Sequence, residues 1–205
     1  MTLDLETRFS LNKFMLKRIF VAINLPENIK KELMAFKEKW QNLICKWTKK
    51  ENLHLTLIFI GYIKPSFLKN VFEATENVCQ KYSPFFLNLK EISFGPPQKR
   101  PPRMIWVKVE KNPDLINLQK ELKNSIFKNS LSEKFKLELE KEDFFPHITL
   151  ARIKTYHLRQ MEEIPEIKEK INLKFKVNFV EIMESKLKRE GPQYFVLQRF
   201  PLSKI

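Results

Sequence analysis

Two four-residue words, HLTL at 54–57 and HITL at 147–150, constrain this chain more than any other feature. Each lies in a run of β-branched and large apolar residues, LHLTLIFI and PHITLARI, and so reads as a strand. Successive side chains of a strand point to opposite faces. His54 and Thr56 therefore share one face, while Leu53, Leu55, Leu57 and Phe59 share the other. The same geometry groups His147 with Thr149, and Ile148 and Leu150 opposite them. The chain has only three histidines, and the third, His157, stands outside either word. Two matched words arising from composition alone are expected on the order of once in ten thousand.

The remaining elements alternate around those strands. KRIFVAIN (17–24) reads as a first strand, and Pro26 opens an amphipathic helix to about Leu43 on Ile29, Leu33, Phe36 and Trp40. The first word lies in a strand from Leu53 to Ile60 that ends at Gly61. A second helix follows from Pro65, with Phe67, Leu68, Val71, Phe72 and Val78 on its apolar face. Strands are expected at 85–94 and 104–110, joined by the basic loop GPPQKRPPR, then a helix at 114–127 and a strand at 135–140. After the second word come a charged segment from His157 to Lys170 and strands at 174–183 and 194–200, with Gly191-Pro192 in the connection. The pattern is α+β: two sheet-containing lobes with helices outside, and a rough repeat of element order between the halves. Residues 1–14 read as an N-terminal extension, with Met15 an alternative start, and 15–205 as one two-lobed domain.

Composition narrows the partners. A net charge of +14 and a pI near 9.7 suit a polyanion such as RNA or DNA, although a Lys-rich solvated surface has the same composition. Three glycines against twelve prolines, with no G-x-G-x-x-G or Walker-type stretch, argue against a phosphate-cradling glycine loop. Cys45 and Cys79 have neither metal nor redox spacing, so both are expected as buried thiols in a reducing cytoplasm. No apolar run reaches the roughly 18 to 20 residues of a membrane span. A monomer is expected.

The paired words suit phosphodiester chemistry. One imidazole takes a proton from attacking water and the other gives one to the leaving oxygen. Histidine fits both tasks because its unperturbed pKa, about 6.5, is close to working pH. The threonine hydroxyls can donate to non-bridging oxygens as charge builds at phosphorus. No metal is required, and neither word has metal-ligand spacing.

The words and their surroundings resemble the 2H phosphoesterases, and within them the LigT-like RNA 2′,3′-cyclic phosphodiesterases, also called 2′-5′ RNA ligase-like proteins. RIFVAINLPENIKKEL resembles the family's opening strand and helix, and KWTKKENLHLTLIFIG the approach to its first motif. FPHITLARI resembles the second motif and GPQYFVLQRFPL the closing strand, so the likeness runs from about Lys17 to Leu202. It implies a two-lobed fold with pseudo-twofold symmetry and a central cleft. It implies metal-free opening of a terminal 2′,3′-cyclic phosphate to a 2′-phosphate, and with it reversible joining of such a cyclic end to a 5′-hydroxyl by a 2′-5′ linkage. His54, Thr56, His147 and Thr149 take the motif positions, with His147 favoured as base and His54 as acid. Arg152 occupies the place of a family arginine, yet strict alternation points it away from Thr149, so a phosphate role needs a bulge, a strand end or a long reach.

Further RNA contacts are assigned to Lys99, Arg100 and Arg103 around the proline-rich loop, and to Trp47, Phe145 and Tyr194 as stacking rings. Two rival readings stand beside the hydrolase: a non-catalytic RNA-binding module, and a 2H enzyme acting on a small cyclic nucleotide metabolite.

Overall fold

Strand β1 (Lys17–Asn24) is buried on both faces, as expected of a central strand. Ile19, Val21 and Ile23 join the main core, whereas Phe20 and Ala22 join a separate small cluster with Met183. The computed structural model describes residues 16–97, 101–128, 144–154, 156, 158 and 166–203. Helix α1 (Glu27–Ala35) buries Ile29 and Leu33, then tightens into a 3-10 turn at Phe36–Trp40, so the expected long helix is in two parts. A three-residue strand, β2 (Cys45–Trp47), follows; it is too short to show a period in the sequence. The remaining elements are β3 (His54–Ile63), α2 (Leu68–Cys79), β4 (Phe85–Gly95), β5 (Met104–Val109), α3 (Pro113–Phe127) and β6 (His147–Ile153). Strands β7 (Lys168–Val177), β8 (Phe179–Lys188) and β9 (Gly191–Pro201) close the chain.

Local chemistry accounts for the clearest boundary. Asn112 caps α3 by accepting from the Leu115 N–H at 2.9 Å, and Pro113 supplies a first helical residue that needs no donor.

All strand pairs are antiparallel and build one nine-stranded sheet, ordered β7-β4-β5-β6-β3-β1-β8-β9, with β2 alongside β6. The two expected lobes are thus halves of a single sheet. Their seam is narrow: β3 meets β6 through the pair Leu55 and Ile148, both wholly buried. Beyond that pair the edge of β6 is completed by β2, with Cys45 opposite Ile153 and Trp47 opposite Ala151.

The helices cover one face. Leu115, Leu118 and Leu122 of α3 and Val71 and Val78 of α2 share a core with Leu55, Leu57, Val107 and Ile148 of the sheet. The opposite face is left for the cleft.

Four expectations are corrected. The strand at 174–183 is the end of β7 and the start of β8, separated at Asn178. Gly191-Pro192 opens β9 rather than lying in the connection, and Gly61 is inside β3 rather than at its end. Cys79 is buried as expected, but Cys45 is only half-buried; both are free thiols. The predicted strand at 135–140, residues 1–14, His157 and most of the charged segment after it lie outside the described residues.

Gly95 admits an indole. A Cβ built there would lie 1.7 Å from Cε2 of Trp106, whose Nε1 donates to the Phe94 carbonyl at 3.0 Å. Gly95→Ala must displace that ring, and we expect a loss of about 1–3 kcal/mol in denaturant unfolding; a stability equal to wild type would contradict the close approach.

Candidate active site

The register of the seam brings the two words together. With Leu55 opposite Ile148, His54 and Thr149 fall beside each other on one side of that pair, and Thr56 and His147 on the other. All four line one cavity of about 390 Å³, together with Arg152, Lys46, Phe59, Met104 and Tyr194.

The two halves match residue for residue. In one, Phe20, Ala22 and Asn24 of β1 stand opposite Phe59, Thr56 and His54 of β3. In the other, Met104, Trp106 and Lys108 of β5 stand opposite Arg152, Thr149 and His147 of β6. Each register skips the last residue of its word, Leu57 in β3 and Leu150 in β6, and the β1–β3 register skips Ile60 as well. Leu57 and Ile58 are therefore both buried, as are Leu150 and Ala151. A bulge of this kind reverses the alternation beyond it. It turns Arg152 into the cleft, where strict alternation would have pointed it away. It also overturns the placing of Phe59 among the core leucines: its ring is 62% exposed and lines the cleft.

Both imidazoles are held the same way. His54 Nδ1 is 2.7 Å from the carbonyl of Asn52, and His147 Nδ1 is 2.7 Å from the carbonyl of Phe145. A carbonyl can only accept, so each Nδ1 carries the proton and each neutral ring keeps its Nε2 lone pair. Thr56 Oγ1 stands 2.9 Å from His54 Nε2 and donates to it in the resting site. Phe20 and Tyr194 pack against the His54 ring at 5.0 and 5.1 Å between centroids, and Trp106 packs edge-on to His147 at 4.2 Å.

A family model described as LigT-like phosphoesterase matches residues 23–106. An RNA 2′,3′-cyclic phosphodiesterase of Thermotoga maritima is 30% identical over 185 residues, covering 88% of this chain and 92% of that protein. One of Methanocaldococcus jannaschii is likewise 30% identical, covering 89% and 99%. The chain belongs to the LigT-like phosphoesterase family. Among solved structures, a Thermus thermophilus protein superposes with a TM-score of 0.80 at 26% identity, covering 91% of this chain and 98% of that one. Escherichia coli LigT shares the fold with a TM-score of 0.74 at 22% identity, covering 93% and 99%.

Within this LigT-like site the electrostatics are set by burial. Burial pushes His54 down to about 4, with the Asn52 carbonyl opposing and His147, Arg152 and Lys30 adding to the shift. Burial also lowers His147, opposed by the Phe145 carbonyl and assisted by Arg152. The cleft is thus a site of uncharged imidazoles beside a guanidinium. Among the described residues no three His, Cys, Asp or Glu side chains gather as metal ligands.

The other sequence-derived contacts fare unequally. Trp47 and Tyr194 line the cleft, Tyr194 with its ring engaged edge-on by His54. Phe145 stacks on Trp106 and Arg103 is exposed, and neither lines the cavity. Lys99 and Arg100 lie outside the described residues. Sequence reasoning missed Phe59, Lys46 and the two carbonyls that fix the tautomers. The adjacent aliphatic pairs Leu57-Ile58 and Leu150-Ala151 were the available sign of a bulge.

A histidine lowered on folding makes stability depend on pH. Between the unfolded value of about 6.5 and a folded value of about 4 the unfolded chain binds more protons at His54, so stability falls as pH drops through that window. We expect denaturant midpoints to decline from pH 7 to pH 4, and His54→Gln to flatten part of that decline. An identical slope in wild type and variant would refute the burial of a neutral imidazole.

Proposed function

We propose that the cleft hydrolyses a terminal 2′,3′-cyclic phosphate on RNA to a 2′-phosphate, with His54 and His147 as the acid–base pair. The observation that carries this is the matched placement of two Nε2 atoms, two hydroxyls and one guanidinium around a single cavity. The names of the relatives at 30% identity support the same reaction.

The cyclic phosphate sits between the two words. Thr56, Thr149 and Arg152 hold its non-bridging oxygens and oppose the charge that grows there. His147 Nε2 takes a proton from water as the water oxygen bonds to phosphorus in line with O3′. The P–O3′ bond breaks, and O3′ receives a proton from His54 Nε2, leaving the phosphate on O2′. A 5′-hydroxyl in place of the water, attacking in the same direction with O3′ again leaving, gives a 2′-5′ linkage by the same geometry. Phe59 and Tyr194 stand on the His54 side, where the departing O3′ and its nucleoside lie, and the exposed Phe59 ring can take a base. RNA is the proposed partner, the monomer the proposed working unit and the cytoplasm the proposed setting, in keeping with two free cysteines.

Incubation with a short RNA ending in 2′,3′-cyclic phosphate, in EDTA, tests the reaction. A 2′-phosphate product read by mass spectrometry is expected, with His54→Ala and His147→Ala each slower by roughly 10²–10⁴-fold. Near-normal turnover by either variant would overturn the two-histidine scheme.

The depressed values also order two pH profiles. The reacting pair needs one proton, yet burial lowers both rings in the empty cleft. A bound phosphodiester anion favours the protonated form and raises them again. The optimum of kcat/KM, which reports free enzyme, should therefore lie on the acid side of the optimum of kcat. Coincident optima, or the reverse order, would contradict this.

A further inference from the structure

The proposed reaction uses one cation, Arg152, and leaves another in the same cleft without a task. In the register of β2 on β6, Lys46 stands directly opposite Arg152. Side chains so paired share a face, with Cα atoms about 4.5–5.5 Å apart. Both line the cavity. Like charges directly opposite each other weaken a sheet, so the pair is a cost to the fold unless an anion lies between or beside the two heads.

Among the described residues no carboxylate closes on either cation. Arg152 Nη1 rests 3.5 Å from the Met104 sulfur, and Lys46 Nζ donates to the main-chain carbonyl of Glu190 at 2.8 Å. Elsewhere Lys17, Lys108 and Arg199 each close on a glutamate within 2.8 Å. Glu190, which also lines the cavity, has its carboxylate 83% exposed and 3.6 Å from Lys49 rather than on Lys46.

The two heads also diverge. Arg152 leans over β5, while Lys46 leans to the tip of the β8–β9 hairpin. There Gly191, at φ +123°, leaves the room: a Cβ would lie 2.9 Å from Lys46 Nζ. Thr48 and Lys49 continue that wall of the cavity. The cleft therefore has two separate cationic positions, one at Arg152 with the motif threonines and one at Lys46.

A cyclic phosphate diester brings a single negative charge. The nearest second one on an RNA end is the internucleotide phosphate on the 5′ side of the terminal nucleoside, which a free nucleoside 2′,3′-cyclic phosphate lacks. We propose that Lys46 forms a subsite for that internucleotide phosphate, so that the cleft selects a polymer end over the mononucleotide. This rests on the cyclic phosphodiesterase reading above.

The test compares two dinucleotides ending in 2′,3′-cyclic phosphate, one with an ordinary linkage and one with a neutral methylphosphonate linkage. Lys46→Gln removes the charge and keeps a donor for the Glu190 carbonyl. In wild type kcat/KM for the charged linkage should exceed that for the neutral one by roughly tenfold. In Lys46→Gln that ratio should fall to about one. A ratio unchanged by the substitution, including an equal loss on both substrates, would overturn the subsite while leaving the hydrolase reading intact. If wild type turns over neither substrate, the hydrolase reading fails and the subsite is read by binding instead. The dinucleotide 2′-phosphate should then bind with a salt dependence about 0.7 shallower in Lys46→Gln, one phosphate contact fewer on a single strand. An unchanged slope would overturn it.

Discussion

The cleft depends on one strand contact, the pair Leu55–Ile148. Everything chemical lies within a few residues of it. The pair is buried on the helix side, under the α2–α3 layer, because its side chains are large and apolar. Burial of those side chains fixes the register, since a slip of one residue would send the leucine and isoleucine faces into the cleft and the histidines into the core. The same hydrophobic constraint that holds the halves together thereby sets which polar atoms meet on the far side. Truncating either side chain would cost about 2–5 kcal/mol, and it would also loosen the spacing of the two imidazoles.

The bulges are the second constraint. A regular strand presents every other residue, and after H-x-T the next cleft-facing positions would be Ile58 and Ala151. Skipping Leu57 and Leu150 brings Phe59 and Arg152 into the cleft instead. The halves are alike in backbone and differ in what those bulges deliver: a ring on one side, a guanidinium on the other. A symmetric scaffold thus suits the asymmetric ligand proposed above, with a guanidinium for its phosphate on one side and a ring for its nucleoside on the other.

Much of this was legible in the chain. The strands carrying the words, the helix after β1, the capped helix α3 and the sharing of one face by each His and Thr follow from local periodicity and end signals. The bulges did not follow, because no glycine or proline marks them and a two-residue aliphatic run has no period. β2 was invisible for its length, and with it Lys46. The joining of two lobes into one sheet is a matter of nonlocal pairing, which local patterns do not encode. The histidine tautomers were out of reach as well, since they depend on carbonyls two residues back rather than on side chains.

The strand order has an architectural result. One half of the sheet is β3, β1, β8 and β9, and the other is β6, β5, β4 and β7. The first half is therefore built from both ends of the chain, with the whole of the second half inserted between. Lys46 and Asn52 reach Glu190 and Pro192 across 144 and 140 residues of sequence. No single cut can divide this chain into its two lobes. In a chain growing from its N-terminus, β1 can pair with β3 early, but its other edge stays open until β8 has been made. Two-lobed in shape, the protein is one cooperative unit in topology, and its cleft is the last part of it that can close.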